Sequence, residues 1–149
     1  MPEKPDMPEN SQAPRWFMIT VILAVLWNLL GVLAFVGQMM MTPEMLAELP
    51  QAQQDLYTAT PTWANMAFGL AVFGGTLGCL ALLIKKSWAL HLLVISLGAV
   101  GVQMFHAFFM SNSFEVFGPG GLIMPVMVVT VAIALIWLTI KAKREQWIG

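Results

Sequence analysis

Four stretches of this chain run apolar for about twenty residues each, at 15–38, 63–84, 88–110 and 121–140, with polar or Gly/Pro-rich segments between them. At about 1.5 Å of rise per residue, a helix of that length crosses a hydrocarbon layer about 30 Å thick. The pattern predicts an all-α integral membrane protein with four transmembrane helices in an up-down-up-down bundle. Residues 14–149 form its single domain, and residues 1–13, with three prolines and three acids, read as a disordered cytoplasmic tail.

The longest connection, 39–62, has its own pattern. Thr42-Pro43-Glu44 is a helix start: cap, proline in the first turn, acid beside the helix N-terminus. Met45, Leu49, Ala52 and Leu56 then recur on one face, with Glu44, Glu48, Gln51 and Asp55 in a parallel polar stripe. A short outer amphipathic helix between the first and second spans, restarted at Pro50, is expected on the membrane surface or capping the bundle.

The second span carries Ala67, Ala71, Gly74, Gly75 and Gly78 at helical spacing, and the third carries Gly98 and Gly101. Small residues let helix backbones approach closely in lipid. Lys85-Lys86-Ser87 is a very short turn, so these two spans should form a tight hairpin with those seven residues as its packing face.

Composition agrees with the pattern. Hydrophobic residues make up 58% of the chain and charged residues 10%, against about a quarter charged in soluble domains. The first apolar run is longer than the roughly 7–15 residues of a signal-peptide core and is read as a retained span. With a net charge of -1, no basic face offers itself to nucleic acid. The one cysteine, Cys79, cannot form an intrachain disulfide. All seven Lys and Arg fall at positions 4, 15, 85, 86, 141, 143 and 144, whereas the opposite loops hold Glu44, Glu48, Asp55 and Glu115. The positive-inside rule then places both termini and the 85–87 turn in the cytoplasm, and the 39–62 loop and the Gln103–Gly121 stretch outside.

Candidate chemistry gathers near Gln103–Gly121. His106 lies about 27 Å along the helix from Trp88, near the outer surface. Gln103 shares its face at a spacing of three. An ionisable group close to the hydrocarbon invites a functional reading, with Glu115 folding back as partner to relay protons or bind a cation. The other reading is a neutral interfacial histidine satisfied by Gln103, a backbone carbonyl or water. Asn28 and Gln103 lie about 18 and 22 Å from the inner-end tryptophans of their spans, so they can meet at similar depth, as interhelical glue or as part of a site. The proposed ligand or proton site is therefore Asn28, Gln103, His106 and Glu115. Nine of the twelve methionines belong to the outer half. Met41, Met104, His106 and Met110 form a soft-ligand set that would suit Cu(I), although methionine is also ordinary filler of irregular apolar gaps. His91 and His106 do not make a haem site by themselves, since the other spans offer no opposing histidine, and no cofactor is expected. No Lys, Arg, Asp or Glu lies at mid-depth, and no phosphate loop, metal-helix motif or serine nucleophile pattern appears, so an enzyme is not expected.

The runs WNLLGVLAFVGQMMMTPEMLAELP, FGLAVFGGTLGCLALLIKKSWAL and QMFHAFFMSNSFEVFGPGG resemble a family of small, uncharacterised four-helix bacterial inner-membrane proteins, some of them automatically labelled "sugar transporter". The resemblance spans Trp27 to about Pro125. It implies a four-span bundle in a Gram-negative inner membrane, and it supplies no substrate, cofactor or catalytic residue.

Three functional expectations follow. The first is a transporter-like or channel-like membrane protein with an outward-facing vestibule, working as a homo-oligomer in the lipid bilayer. The second is a non-catalytic accessory or scaffold subunit packed on a larger membrane-protein partner. The third is a periplasm-facing Cu(I)-binding protein. A polar cavity reaching Asn28, a dry bundle, or converging thioethers would distinguish them.

Overall fold

A computed structural model describes residues 13–111 and 113–149, apart from the side chain of Phe114. The expected tail, 1–13, lies outside the described residues up to position 12. All described elements are helical: α1 (Arg15–Met39), α2 (Pro43–Ala47), α3 (Gln51–Ala59), α4 (Thr62–Leu83), α5 (Ala89–Phe105), a π-helical turn (His106–Met110), α6 (Ser113–Phe117), a 3-10 turn (Pro119–Leu122) and α7 (Ile123–Arg144). Four segments are long and apolar enough to cross a membrane: Arg15–Met39, Thr62–Leu83, Ala89–Met110 and Pro119–Arg144.

Local chemistry sets the boundaries. Pro14 starts α1, and its carbonyl accepts from the Phe17 and Met18 amides. Thr42 Oγ1 accepts from the Met45 amide at 3.2 Å, with Pro43 and Glu44 in the first turn of α2. Pro50 ends that helix and opens α3. α4 and α7 both end in a Schellman arrangement. Lys86 N–H donates to Ala81 O at 2.8 Å and Trp147 N–H donates to Ala142 O at 2.8 Å. The left-handed positions are Lys85 and Gln146, with φ of 60° and 59°, where glycine is the usual occupant.

α4 packs against both α1 and α5, and α5 packs also against α7. Partners run in opposite senses along the first two of these pairs. On α1 and α4, Gly31 faces Val72 and Phe35 faces Gly69; on α4 and α5, Gly75 faces Ser96 and Gly78 faces Leu93. Over its most apolar stretch α4 is 56% buried, whereas α1 is 11% buried. Water would not tolerate the apolar surface this leaves on α1, with Leu23 60% and Leu33 67% exposed; a lipid surround does.

The close approach is made by small residues on α4. A Cβ at Gly78 would lie 2.8 Å from Leu93 Cγ, and one at Gly75 would collide with Asn28 Oδ1. Ala67, Ala71 and Gly74 are buried with them. Gly98 and Gly101 are not part of this face. A Cβ at either would meet nothing within 4 Å, because α5 turns Leu93 and Ser96 toward α4 and these two glycines outward. Of the seven small residues expected as the packing face, Gly74, Gly75 and Gly78 meet side chains of neighbouring helices, whereas Gly98 and Gly101 meet none.

The main core lies at the end that carries Arg15, Lys85, Lys86 and Lys141. It joins Phe17 and Val21 of α1, Cys79 and Leu82 of α4, Leu93 of α5, and Leu135 and Leu138 of α7. Residues 145–149 fold back beneath it. Gly149 N–H donates to Lys85 O at 3.0 Å, and Ser87 N–H donates to Gly149 O at 2.9 Å. Ile148 is buried, and the Trp147 ring packs 5.5 Å from those of Trp16 and Phe17. The Lys141 ammonium sits over Trp16 and Trp137. Beyond this end, α1 and α7 make no extended contact with each other among the described residues.

Candidate functional site

α4 and α5 carry most of the packing between the long helices, and a cavity lies among all four of them. That cavity measures about 440 Å³, within the range of about 300–1,000 Å³ usual for small-molecule sites. Its floor is the top of the main core, at Leu93 and Leu135. Its walls are Trp27, Asn28 and Gly31 from α1, Ala71 and Gly75 from α4, Ser96, Gln103 and Met104 from α5, and Pro125, Val128 and Val131 from α7. None of the described residues that line it is charged.

Asn28 is the central polar group. Its Nδ2 donates to Ala24 O one turn back at 2.8 Å and to Cys79 Sγ across on α4 at 3.3 Å. Both amide protons are therefore engaged, which fixes the direction of the amide. Oδ1 projects over the bare Cα of Gly75 and accepts no hydrogen bond among the described residues. Ser96 lies beside it. The point where a Gly75 Cβ would sit is 3.2 Å from Ser96 Oγ. That hydroxyl donates its proton to Ala71 O at 2.6 Å, leaving its oxygen as an acceptor. Two acceptors thus flank Gly75 at the bottom of an otherwise apolar chamber. Gln103 lies seven residues along α5 from Ser96, roughly 10 Å by helix rise, and its amide has no partner among the described residues.

The four expected site residues are therefore divided. Asn28 and Gln103 line the same cavity without bonding each other. His106, at the start of the π turn, faces a second and smaller cavity with Leu56, Ala59, Phe109, Met110 and Ser111. Its ring stands edge-on to Trp63, centroids 5.2 Å apart. A spacing of three turns a residue about 60° around a helix. Gln103 and His106 remain neighbours on the helix surface but open onto different cavities. Glu115 is exposed on α6, and no hydrogen bond or ion pair joins it to His106 among the described residues. The candidate metal set is split as well. Met104 lines the main cavity, His106 and Met110 line the smaller one, and Met41 lies in the 40–42 connection. Among the described residues, no three His, Cys, Asp or Glu side chains are grouped to hold a metal ion.

Two features are not evident in the sequence. Cys79 is the thiol partner of Asn28, and its depth in the second span is the only hint of that pairing. The second is a clasp at the far end of the cavity: Gln38 Nε2 donates to Asn65 Oδ1 at 2.8 Å, and the Tyr57 hydroxyl donates to Gln38 O. This ties α1, α3 and α4 together. Matching depths from the ends of the first two spans would have paired Gln38 with Asn65.

Compared with protein-family models, curated proteins and solved structures, the chain matches none.

Proposed function

We propose that this chain is an up-down-up-down four-helix bundle of a bacterial inner membrane that takes a small neutral solute into its cavity, as a transporter-like protein. Arg15, Lys85, Lys86, Lys141, Lys143 and Arg144 gather at the cored end, which the positive-inside rule assigns to the cytoplasm together with both termini. The α2–α3 segment, with its acids, then lies against the outer surface. The vestibule is the cavity in the outer half, and the core closed by Trp147 and Ile148 is the inner barrier.

The observation that carries this reading is the cavity itself: about 440 Å³ lined by four helices, ending at an amide whose acceptor has no partner among the described residues. A bundle serving only as a scaffold would gain packing energy by closing that space. The lining argues against a sugar. Among the described residues, Trp27, Asn28, Ser96 and Gln103 are the only hydrogen-bonding side chains in it. They are too few for a polyhydroxylated solute, whose unpaired hydroxyls would each cost free energy on burial.

The test is uptake by proteoliposomes across a series of neutral solutes of rising hydrophobicity. Wild type should admit a subset, and Val128→Trp, which fills the chamber, should abolish that uptake. Flux equal to that of protein-free liposomes for every solute would sink the transport reading. Co-purification of a stoichiometric partner helix seated between α1 and α7 would favour the accessory-subunit reading instead.

A further inference from the structure

We infer that the ligand of this cavity is a neutral lipid with a hydroxyl head, reaching the chamber sideways between α1 and α7 and donating its hydroxyl proton to Asn28 Oδ1. The inference rests on the cavity being a binding site, as proposed above, and adds the chemical class of what it binds.

The first argument is donor and acceptor accounting. Asn28 spends both amide protons on Ala24 O and Cys79 Sγ. Ser96 spends its only proton on Ala71 O. What Asn28 and Ser96 offer around Gly75 is therefore acceptors alone. A ligand group that only accepts, such as an ether, an ester or a quinone carbonyl, finds no partner in these two side chains. A group carrying O–H does, and Ser96 Oγ stands close enough to Gly75 to flank it. Gly75 lets the Asn28 amide lie against α4 beside Ser96, since any Cβ there would collide with Oδ1.

The second argument is charge. No cation lines the chamber among the described residues, so a carboxylate or phosphate would be buried without a counter-ion. No anion lines it among them either, so an ammonium would be equally alone. Either would be strongly disfavoured in a low-dielectric interior.

The third argument is the route. Of the lining residues, Leu30 on α1 is 62% exposed and Met124 on α7 is 60% exposed. Both line the cavity from the two helices that make no extended contact with each other among the described residues, and the space between those helices is the seam. Both belong to segments long and apolar enough to span the membrane, so the seam faces acyl chains. None of the described side chains of α2, α3 or α6 contributes to the lining. An apolar tail can stay in the seam while the hydroxyl reaches the floor, which hydrocarbon alone cannot satisfy. Water could reach the same acceptors, but it leaves the apolar walls wetted.

The probe is dodecanol carrying a diazirine on its chain, with the matching methyl ether as control. Both are photolysed with the full-length protein in lipid nanodiscs, and the labelled residues are mapped by mass spectrometry. The alcohol should label residues of the chamber and seam, such as Gly31, Met104 and Val128, roughly tenfold more than the ether does. Asn28→Ala should erase that difference by lowering alcohol labelling to the ether level. Because Asn28→Ala also removes an interhelical bond, the comparison on unaltered protein is decisive by itself. Equal chamber labelling by alcohol and ether would overturn the hydroxyl assignment and leave the cavity a generic apolar site. Absence of chamber labelling by either would overturn the binding site as well. Displacement of the alcohol by glucose at millimolar concentration would overturn the lipid class in favour of a soluble polyol.

Discussion

At Gly78, one hydrogen atom decides how closely α4 and α5 can pack. A methyl there would meet Leu93 Cγ and Cδ2 at 2.8 Å, and these belong to a buried side chain with little room to withdraw. Gly78→Ala should therefore destabilise the protein by about 1–3 kcal/mol, as overpacked cores do. Gly98→Ala adds the same methyl to open space and should be neutral or gain a few tenths of a kcal/mol from helix propensity. Thermal unfolding of both variants in one detergent makes the comparison; equal shifts would contradict the packing described. Gln103 poses the opposite case. Its amide is half-buried with no partner among the described residues, and an unpaired polar group typically costs about 1–3 kcal/mol. Gln103→Leu should accordingly raise the melting temperature of the ligand-free protein. A fall of several degrees would mean that the amide is already satisfied.

At the scale of elements, the sequence pattern was most reliable where lipid sets the length. The second and third spans, expected at 63–84 and 88–110, are Thr62–Leu83 and Ala89–Met110. The Thr42-Pro43 cap and the break at Pro50 also stand where backbone chemistry demands them. What could not be read is which face of each helix turns inward. In a membrane every face is apolar, so periodicity separates core from lipid poorly, and by residue type Gly98 and Gly101 look like Gly74 and Gly78. The fourth helix runs on to Arg144, because basic residues in the last turn suit the negative end of the helix dipole. The π turn at His106–Met110 was likewise invisible, since no residue type demands it. It matters for the site, because it holds His106 against Trp63, outside the main chamber. His106→Ala should therefore leave solute uptake close to wild type, while Val128→Trp abolishes it. Loss of uptake in both variants, with folding intact, would join the two cavities into one pathway.

At the scale of the whole molecule, the two ends of the bundle are built differently, and the difference is a matter of who touches whom. At the basic end, α1 and α7 are bridged by a segment that is not part of any span: Trp147 lies against Phe17 and Trp16, and Gly149 is hydrogen-bonded to the α4–α5 turn. The sequence carries no sign of this return, because the left-handed residue that starts it is Gln146 rather than glycine. At the other end a cavity lies among the four long helices. If Trp147 is the keystone of the inner barrier, removing its ring should loosen the core above it before it disturbs the chamber. Cys79 is a built-in reporter of that core: it is the only cysteine, fully buried, and one turn from the basic end of α4. Trp147→Ala should cost about 2 kcal/mol, below the roughly 3–5 of a fully buried aromatic because Trp147 is itself half-buried. Alkylation of Cys79 by a small maleimide in inside-out vesicles should then rise well above the slow wild-type rate, while alkylation in right-side-out vesicles under an impermeant reagent should not change. An unaltered rate from the inside, with the melting temperature lowered, would show that the barrier is the four-helix core alone and that the returning segment only braces it.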